Sequence, residues 1–476
     1  MKTYIHFLTP VPGKLFLLLK IFVVIGIFLG YIVNARASDN FLRLETAVKE
    51  AQLNDPWLVG NQHSQDAIES MSVAAGTYPD PKMSLSLANL PTDTFDFDQE
   101  AMTQFKVGLS QVFPRGDSLA IKRKQLELVG SQFPFQRQNR KAKVVVTVGQ
   151  LWLNAYLAQE SISLIEKDRP LFEQLADVAV ASYSSAYGRT RQQDIIRAQL
   201  ELTRLDDRLT ILKQKQEVFV EQLSEWLSNY FIEEYSDSLK TTAAVPWTSL
   251  VLDRQLPNVE MLNTSLYTAR QEASPQTLYE HFSQHPLVAA LDQKIEASKS
   301  GIDLAKQKYK SEWGLNASYG YRDHDQLGND RADFLSVGIG FDLPFFTKNR
   351  QDKEVQSARS KTEAIKTEKW LLVRKMIADF EKTRTQLKRL NERQKLYREQ
   401  LLPQMREQAE ASLTAYTNDD GDFAEAVRAR IAELNALIDA YGIDVERQKV
   451  IIQLNYFFMK NADEIITGSQ GGGDKK

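Results

Sequence analysis

Two pairs of segments in the chain alternate apolar with polar or small residues, and two much longer stretches place apolar residues three and four apart. Trp313, Leu315, Ala317, Tyr319 and Tyr321 are separated by Gly314, Asn316, Ser318 and Gly320. Leu335, Val337, Ile339, Phe341 and Leu343 are separated by Ser336, Gly338, Gly340 and Asp342. The first half carries shorter versions, with Met83, Leu85 and Leu87 against Ser84 and Ser86, and Phe105, Val107 and Leu109 against Lys106, Gly108 and Ser110. Period two predicts strands with one apolar and one polar or small face. Polar connections at 91–102 and 323–332 pair them into hairpins over 82–113 and 313–343.

The helical pattern is clearest after Lys348. Val373, Met376, Phe380, Leu387, Leu390, Tyr397 and Leu401 follow steps of three and four, with lapses at Thr383 and Gln394. Beyond Gly421 the series resumes at Val427, Ile431, Leu434, Ile438, Tyr441, Val445 and Ile452. These read as coiled-coil seams, antiparallel if the turn at Gly421 folds one onto the other. A helix over 348–416 is on the order of 100 Å long at 1.5 Å per residue, with a kink or restart expected at Pro403.

The two halves also echo each other. Pro56 and Pro286, Leu85 and Leu315, Val107-Gly108 and Val337-Gly338, and Pro114 and Pro344 are each 230 positions apart. Further on, Pro170 and Pro403, Tyr183 and Tyr416, and Gly188 and Gly421 are each 233 apart. The period far exceeds that of solenoid repeats, so the expectation is a duplicated, domain-sized unit. Each unit reads helix, strand, strand, long helix, turn, helix. The boundaries expected are a first repeat over 38–231, a connector over 232–274 with Pro246 and Pro257, a second repeat over 275–462 and a flexible tail over 463–476.

Alternation by itself fits a soluble, half-buried antiparallel sheet. The helices shift the balance, because they are too long and too narrowly apolar to wrap a compact core. The consistent architecture is mainly α with a small β part: long antiparallel coiled-coil helices with β-hairpins at one end. Four strands cannot close a membrane barrel, which needs about eight, and open edges are not tolerated in lipid. If the strands lie in a membrane, several copies must contribute to one barrel.

The N-terminus agrees with export. Lys2, Lys14 and Lys20 precede an apolar run from Ile21 to Val33 that ends in Ala35-Arg36-Ala37, the pattern of a signal peptide over 1–37; a membrane anchor is the alternative. The chain has no cysteine, which excludes disulfides, thiol catalysis and an acylated N-terminal Cys. A net charge of −3 gives no reason to expect a nucleic-acid partner. No G-x-S-x-G or phosphate-binding glycine loop is present, so no enzyme activity and no cofactor are expected.

The duplicated unit, the paired hairpins, the P-D-P-K-M-S-L-S-L run at Pro79 to Leu87, the G-L-S-Q-V-F-P-R-G run at Gly108 to Gly116 and the two Tyr-x4-Gly turns together resemble the TolC-type outer membrane efflux family. Within it, the chain is most similar to the outer components of heavy-metal efflux systems of the RND type. The resemblance implies a homotrimer in the outer membrane of a Gram-negative bacterium, each protomer giving four strands to a twelve-stranded barrel and its helices to a periplasmic α-barrel. It also implies a periplasmic adaptor and an inner-membrane RND-type transporter as partners, with metal resistance as the setting. Exit ducts for drugs or for type I secretion share these features. A coiled-coil structural or adhesion protein is the alternative of another class.

A conduit of this kind has no catalytic site, but the family closes its periplasmic tip at the helix-helix turns. The matching positions here are Asp419, Asp420, Asp422 and Glu425 at one turn and Arg189 and Arg191 at the other. A threefold ring of such carboxylates attracts cations; the alternative is that Asp420 or Asp422 merely caps the next helix. Parity assigns Lys106, Ser110, Asn316, Ser336 and Asp342 to a water-filled lumen, and Leu315, Tyr319, Val337, Ile339 and Phe341 to outer membrane lipid. His281 and His285 share a helical spacing suited to a metal, but no Glu follows His281, and no metal site is expected.

Overall fold

The structure is a computed structural model that describes residues 41–184, 191–228, 251–264, 274–418 and 421–458. The segments expected to be signal peptide and tail, most of the expected connector, Arg189, Asp419 and Asp420 lie outside the described residues. Two short helices, α1 (Leu44–Leu53) and α2 (Pro56–Ala75), lead into strands β2 (Lys82–Ala88) and β3 (Gln104–Phe113). The chain continues through α3 (Ser118–Gly130), the 53-residue α4 (Gln132–Ser184) and α5 (Gln192–Leu227). The second half repeats the order with α6 (Pro275–Phe282), α7 (Pro286–Gln307), strands β5 (Trp313–Tyr321) and β6 (Phe334–Phe341), and the long α8 (Gln351–Leu396). A π-helical turn, Tyr397–Leu401, joins α8 to α9 (Leu402–Thr417), and α10 (Phe423–Phe458) returns alongside.

Several helix starts are legible in the sequence. Proline at the first helical position gives up an N–H that would have no partner there. Asp55 precedes Pro56 and its carboxylate accepts from the Trp57 N–H at 3.1 Å. His285 precedes Pro286 and its Nδ1 accepts from the Leu287 N–H at 3.2 Å. Ser274 does the same before Pro275, its hydroxyl accepting from the Thr277 N–H at 3.2 Å.

Two hydrophobic cores lie along the helices. The larger gathers Trp152, Tyr156, Phe282, Phe380 and Phe457 with Val373, Met376, Leu387, Val445 and Ile452. Phe282 and Phe380 meet edge to face at 5.8 Å. The smaller core lies toward the helix turns and joins Ile165, Phe172 and Leu175 of α4 to Leu205 and Leu209 of α5 and Phe423, Val427 and Leu434 of α10. The α8 seam is buried from Val373 to Leu387 and half-buried at Leu390, Tyr397 and Leu401. At the lapse, Thr383 is buried with its hydroxyl donating to the Asp379 carbonyl at 2.7 Å.

The break expected at Pro403 takes the form of the π turn immediately before it. Proline removes one backbone donor and its ring presses on the carbonyl four residues back; a wider turn relieves both. Pro170 sits inside an uninterrupted α4. The sequence reading also missed the interruption between α3 and α4 at Ser131, whose hydroxyl donates to the Leu128 carbonyl at 2.8 Å.

A short parallel pair, β1 (Phe41–Leu42) and β4 (Val251–Leu252), ties the start of the described chain to the segment between the halves. Side-chain amides hold that segment. Gln159 both donates to the Leu252 carbonyl and accepts from its N–H, each at 3.2 Å. Gln448 accepts from the Val259 N–H at 3.0 Å and Asn455 from the Leu262 N–H at 2.8 Å.

Candidate functional site

The four longer strands form one antiparallel sheet in the order β2-β3-β5-β6. Its centre is the β3–β5 pair, which joins the halves in register from Phe105 opposite Tyr321 to Phe113 opposite Trp313. Residues directly opposite in an antiparallel ladder share a face. Leu85, Val107, Tyr319 and Leu335 therefore form one cross-strand row, and Leu109, Ala317 and Val337 another.

This apolar face is uncovered. Leu85, Leu109, Leu315, Tyr319, Leu335, Val337, Ile339 and Phe341 are all exposed, Leu335 to 76%. A soluble half-buried sheet would pack such a face on the helices; among the described residues none covers it. Contiguous apolar exposure on this scale marks a surface that meets another molecule or lipid. Aromatic residues bound it at both ends: Phe113, Trp313 and Phe341 form the row nearest the helices, with Trp313 and Phe341 rings 4.6 Å apart, and Phe105 and Tyr321 the far row. Ten residues of β3 span about 33 Å, or roughly 25 Å of height at a tilt near 40°.

The opposite face carries the even positions. Lys106 stands opposite Ser86 and Gly320, Ser110 opposite Lys82 and Asn316, and Ser336 opposite Ser318. Glycine lets cross-strand neighbours lie flat here. A Cβ on Gly108 would meet Ser84 Oγ at 2.6 Å, and one on Gly338 would collide with Asn316 Oδ1. Lys106, Ser110, Asn316 and Ser336 thus share the small, polar face.

Asp342, also assigned by parity to this face, lies just past β6. It accepts from the Glu312 N–H at 2.7 Å and pairs with Arg115 at 2.5 Å. Arg115 also donates to the Lys310 carbonyl at 3.1 Å, so it bridges the exits of both hairpins. Gly116 follows with φ +46°, and a Cβ there would collide with the side chains of Gln307 and Lys310. The sequence reading missed Arg115; its only signal was the polar Arg-Gly step after Pro114. At the far end Arg322 and Arg331 donate to the carbonyls of Ala101 and Glu100, each at 3.0 Å, tying the two hairpin connections together.

At the other extreme of the molecule, Asp422 accepts from the Ala424 N–H at 3.1 Å and so caps α10, while Glu425 is exposed in its first turn. Gly421 is required on steric grounds: a Cβ there would stand 2.6 Å from the Tyr416 nitrogen. The ring of Tyr416 meets Phe423 at 5.4 Å, closing the turn over the smaller core. In the other turn Arg191 precedes α5, and its N–H donates at 2.9 Å to Asp194, a buried carboxylate that sequence reasoning passed over. The two turns share one end of the helices, with Phe423 and Val427 packed in one core with Ala198 and Leu205.

The two histidines do not converge. His285 spends both ring nitrogens on backbone, Nδ1 as the helix cap and Nε2 3.2 Å from the Tyr456 carbonyl, whereas His281 lies edge-on to Phe458 at 5.7 Å. Burial pushes the His285 pKa down to about 4, so the ring is neutral at pH 7. Among the described residues no cluster of His, Cys, Asp or Glu is arranged to hold a metal ion, and no helix is long and apolar enough to cross a membrane.

This chain mounts its four-stranded sheet on helices of 36 to 53 residues, and the same fold is found among solved structures. The outer-membrane channel OprN matches over 88% of this chain and 90% of its own, with a TM-score of 0.68 and 12% identity. The chain has the fold of the TolC-type outer membrane channels. CusC, whose structures describe folding and transmembrane channel formation, matches over 88% and 93% at TM-score 0.68 and 14% identity. The Campylobacter jejuni CmeC outer membrane channel matches over 90% and 87% at TM-score 0.65 and 13% identity. No family model and no curated relative matches at the level of sequence. The channel fold is thus kept at identities where the sequence signal has almost vanished.

Proposed function

We propose that the chain is one protomer of an outer membrane efflux duct, built from an internally duplicated unit. The observation that carries this reading is the uncovered apolar face on a sheet whose two edge strands, β2 and β6, are open. Lipid satisfies the face, and only neighbouring copies satisfy the edges. Three protomers of four strands make a closed twelve-stranded barrel, large enough for a lumen. In it Leu315, Tyr319, Val337, Ile339 and Phe341 meet lipid, and Lys106, Ser110, Asn316 and Ser336 line water.

The helices then form the periplasmic tunnel. Its tip receives substrate from an adaptor and an inner-membrane transporter of the RND type. Asp422 and Glu425, with Asp419 and Asp420 outside the described residues, bring up to twelve carboxylates around a threefold axis and favour cations, consistent with a heavy-metal substrate. The capping bond of Asp422 fixes its carboxylate at the turn without consuming both oxygens.

Fractionation provides the first test: the protein is expected in the outer membrane and, in mild detergent, as a trimer. A soluble periplasmic monomer would overturn the duct. Conductance across a planar bilayer tests the tip. Asp419→Asn, Asp420→Asn and Asp422→Asn together are expected to raise conductance and weaken cation preference, and unchanged values would remove the gating role.

A further inference from the structure

The chain leaves the sheet for the helices twice, at Phe113-Pro114-Arg115-Gly116 and at Leu343-Pro344-Phe345-Phe346, segments 230 positions apart. At the first exit the residues after proline are consumed in protein contacts. Arg115 is ion-paired with Asp342, and Gly116 leaves no room for a side chain beside Gln307 and Lys310. At the second exit the same positions hold Phe345 and Phe346, exposed to 74% and 93%, with Leu343 exposed to 55%. The fold satisfies this junction with Arg-Gly in one half, so it does not require two phenylalanines in the other. Each ring left in water forgoes the gain of removing its apolar area from solvent.

Their surroundings indicate what covers them. Both come within five residues of Phe341, part of the aromatic row that ends the exposed apolar face, with exposed Leu343 in between. Lys348 and Arg350 come next, both exposed and without an acidic partner among the described residues. An apolar tip followed at once by two cations matches the lipid interface, where rings sit below the phosphates and cations at their level.

We propose that Leu343–Phe346 is an interfacial anchor. Its two phenylalanines enter the headgroup–acyl boundary of the leaflet nearest the helices, and Lys348 and Arg350 pair with phospholipid phosphates. The anchor fixes the depth at which the sheet ends and the helices begin. It rests on the reading of the sheet as membrane-spanning.

Because the chain has no cysteine, single-cysteine variants of the full protein each carry one nitroxide label. Phe346→Cys, Ile339→Cys and Ser336→Cys are reconstituted in vesicles of phosphatidylethanolamine and phosphatidylglycerol. Collision of each label with oxygen, which concentrates in lipid, and with a water-soluble nickel chelate is then measured. The label at 339 is expected to favour oxygen and the label at 336 nickel. The label at 346 is expected to show an oxygen-to-nickel ratio several-fold above that at 336, at a depth just below the phosphates. Nickel contact at 346 equal to that at 336, with 339 still in lipid, overturns the anchor and leaves the membrane reading standing. Shielding of 346 from both reagents shows a contact between copies and also overturns it. Nickel contact at 339 removes the membrane reading itself. Adding Lys348→Glu and Arg350→Glu to Phe346→Cys is expected to move the label toward water in anionic vesicles; an unchanged depth overturns the phosphate contact.

Discussion

Asp55 and His285 occupy the same place in the two halves, 230 positions apart, each capping a helix that begins with proline. The surroundings differ entirely. Asp55 is a buried carboxylate held by Arg140 through bonds of 2.7 and 3.2 Å, with the guanidinium over the rings of Trp57 and Trp226. His285 is a buried neutral ring hydrogen-bonded to the Tyr456 carbonyl. One backbone requirement, an acceptor for a free helix N–H, is thus met by a charged solution in one half and a neutral one in the other. A charge in the interior needs a dedicated partner, whereas a neutral imidazole needs only a carbonyl.

The contrast is broken most severely by Arg140→Ala. It strands the Asp55 carboxylate, and the expected destabilisation is about 3–5 kcal/mol, read from thermal unfolding followed by helical circular dichroism in detergent. Asp55→Ala with Arg140→Ala should lose less than Arg140→Ala alone, because no buried charge then remains. A double variant as unstable as the single would show that Arg140 matters for packing on the tryptophans instead.

The next effect belongs to His285 and depends on pH. Its ring takes up a proton near pH 6.5 when unfolded and only near pH 4 when folded. Between these values the unfolded chain binds more protons, so the contribution is complete above about pH 6.5 and is lost as pH falls toward 4, by roughly 2–4 kcal/mol. His285→Asn keeps a capping acceptor and removes the titration. Its stability curve is expected to be flatter than that of the parent over this window, and parallel curves would refute the assignment.

A smaller contrast separates the prolines. Pro170 sits in a regular α-helix, whereas Pro403 is preceded by a π turn that relieves it. Pro170→Ala should therefore stabilise the protein by about 1–3 kcal/mol, and Pro403→Ala by less. Equal gains would mean that the π turn answers to something other than proline, such as the Arg398–Asp444 pair at 2.8 Å.

These contrasts also explain what the sequence could and could not disclose. The strands were legible because Trp313 to Tyr321 and Leu335 to Phe341 alternate without error, and alternation survives whatever the surroundings. The seams on α8 and α10 were legible for the same reason. The lapse at Thr383 was not, since burying threonine depends on its bond to the Asp379 carbonyl, which residue type does not announce. The two-residue strands β1 and β4 carry no period at all. Pairs such as Arg115 with Asp342 and Arg140 with Asp55 join residues remote in sequence and look, residue by residue, like ordinary surface charges. At the tip, the acidic turn was visible as composition, but the capping bond of Asp422 and the buried Asp194 depend on backbone geometry.

The seam at the centre of the sheet has a bearing on how the chain comes to be made. Phe113 finds its strand partner in Trp313, 200 positions later. At synthesis rates of about 5–20 residues per second, the first hairpin waits roughly 10–40 s with a sticky flank and no neighbour. Topologies of this kind fold slowly and invite aggregation, so the strand from Gln104 to Phe113 is the exposed edge of the nascent sheet until the second hairpin arrives.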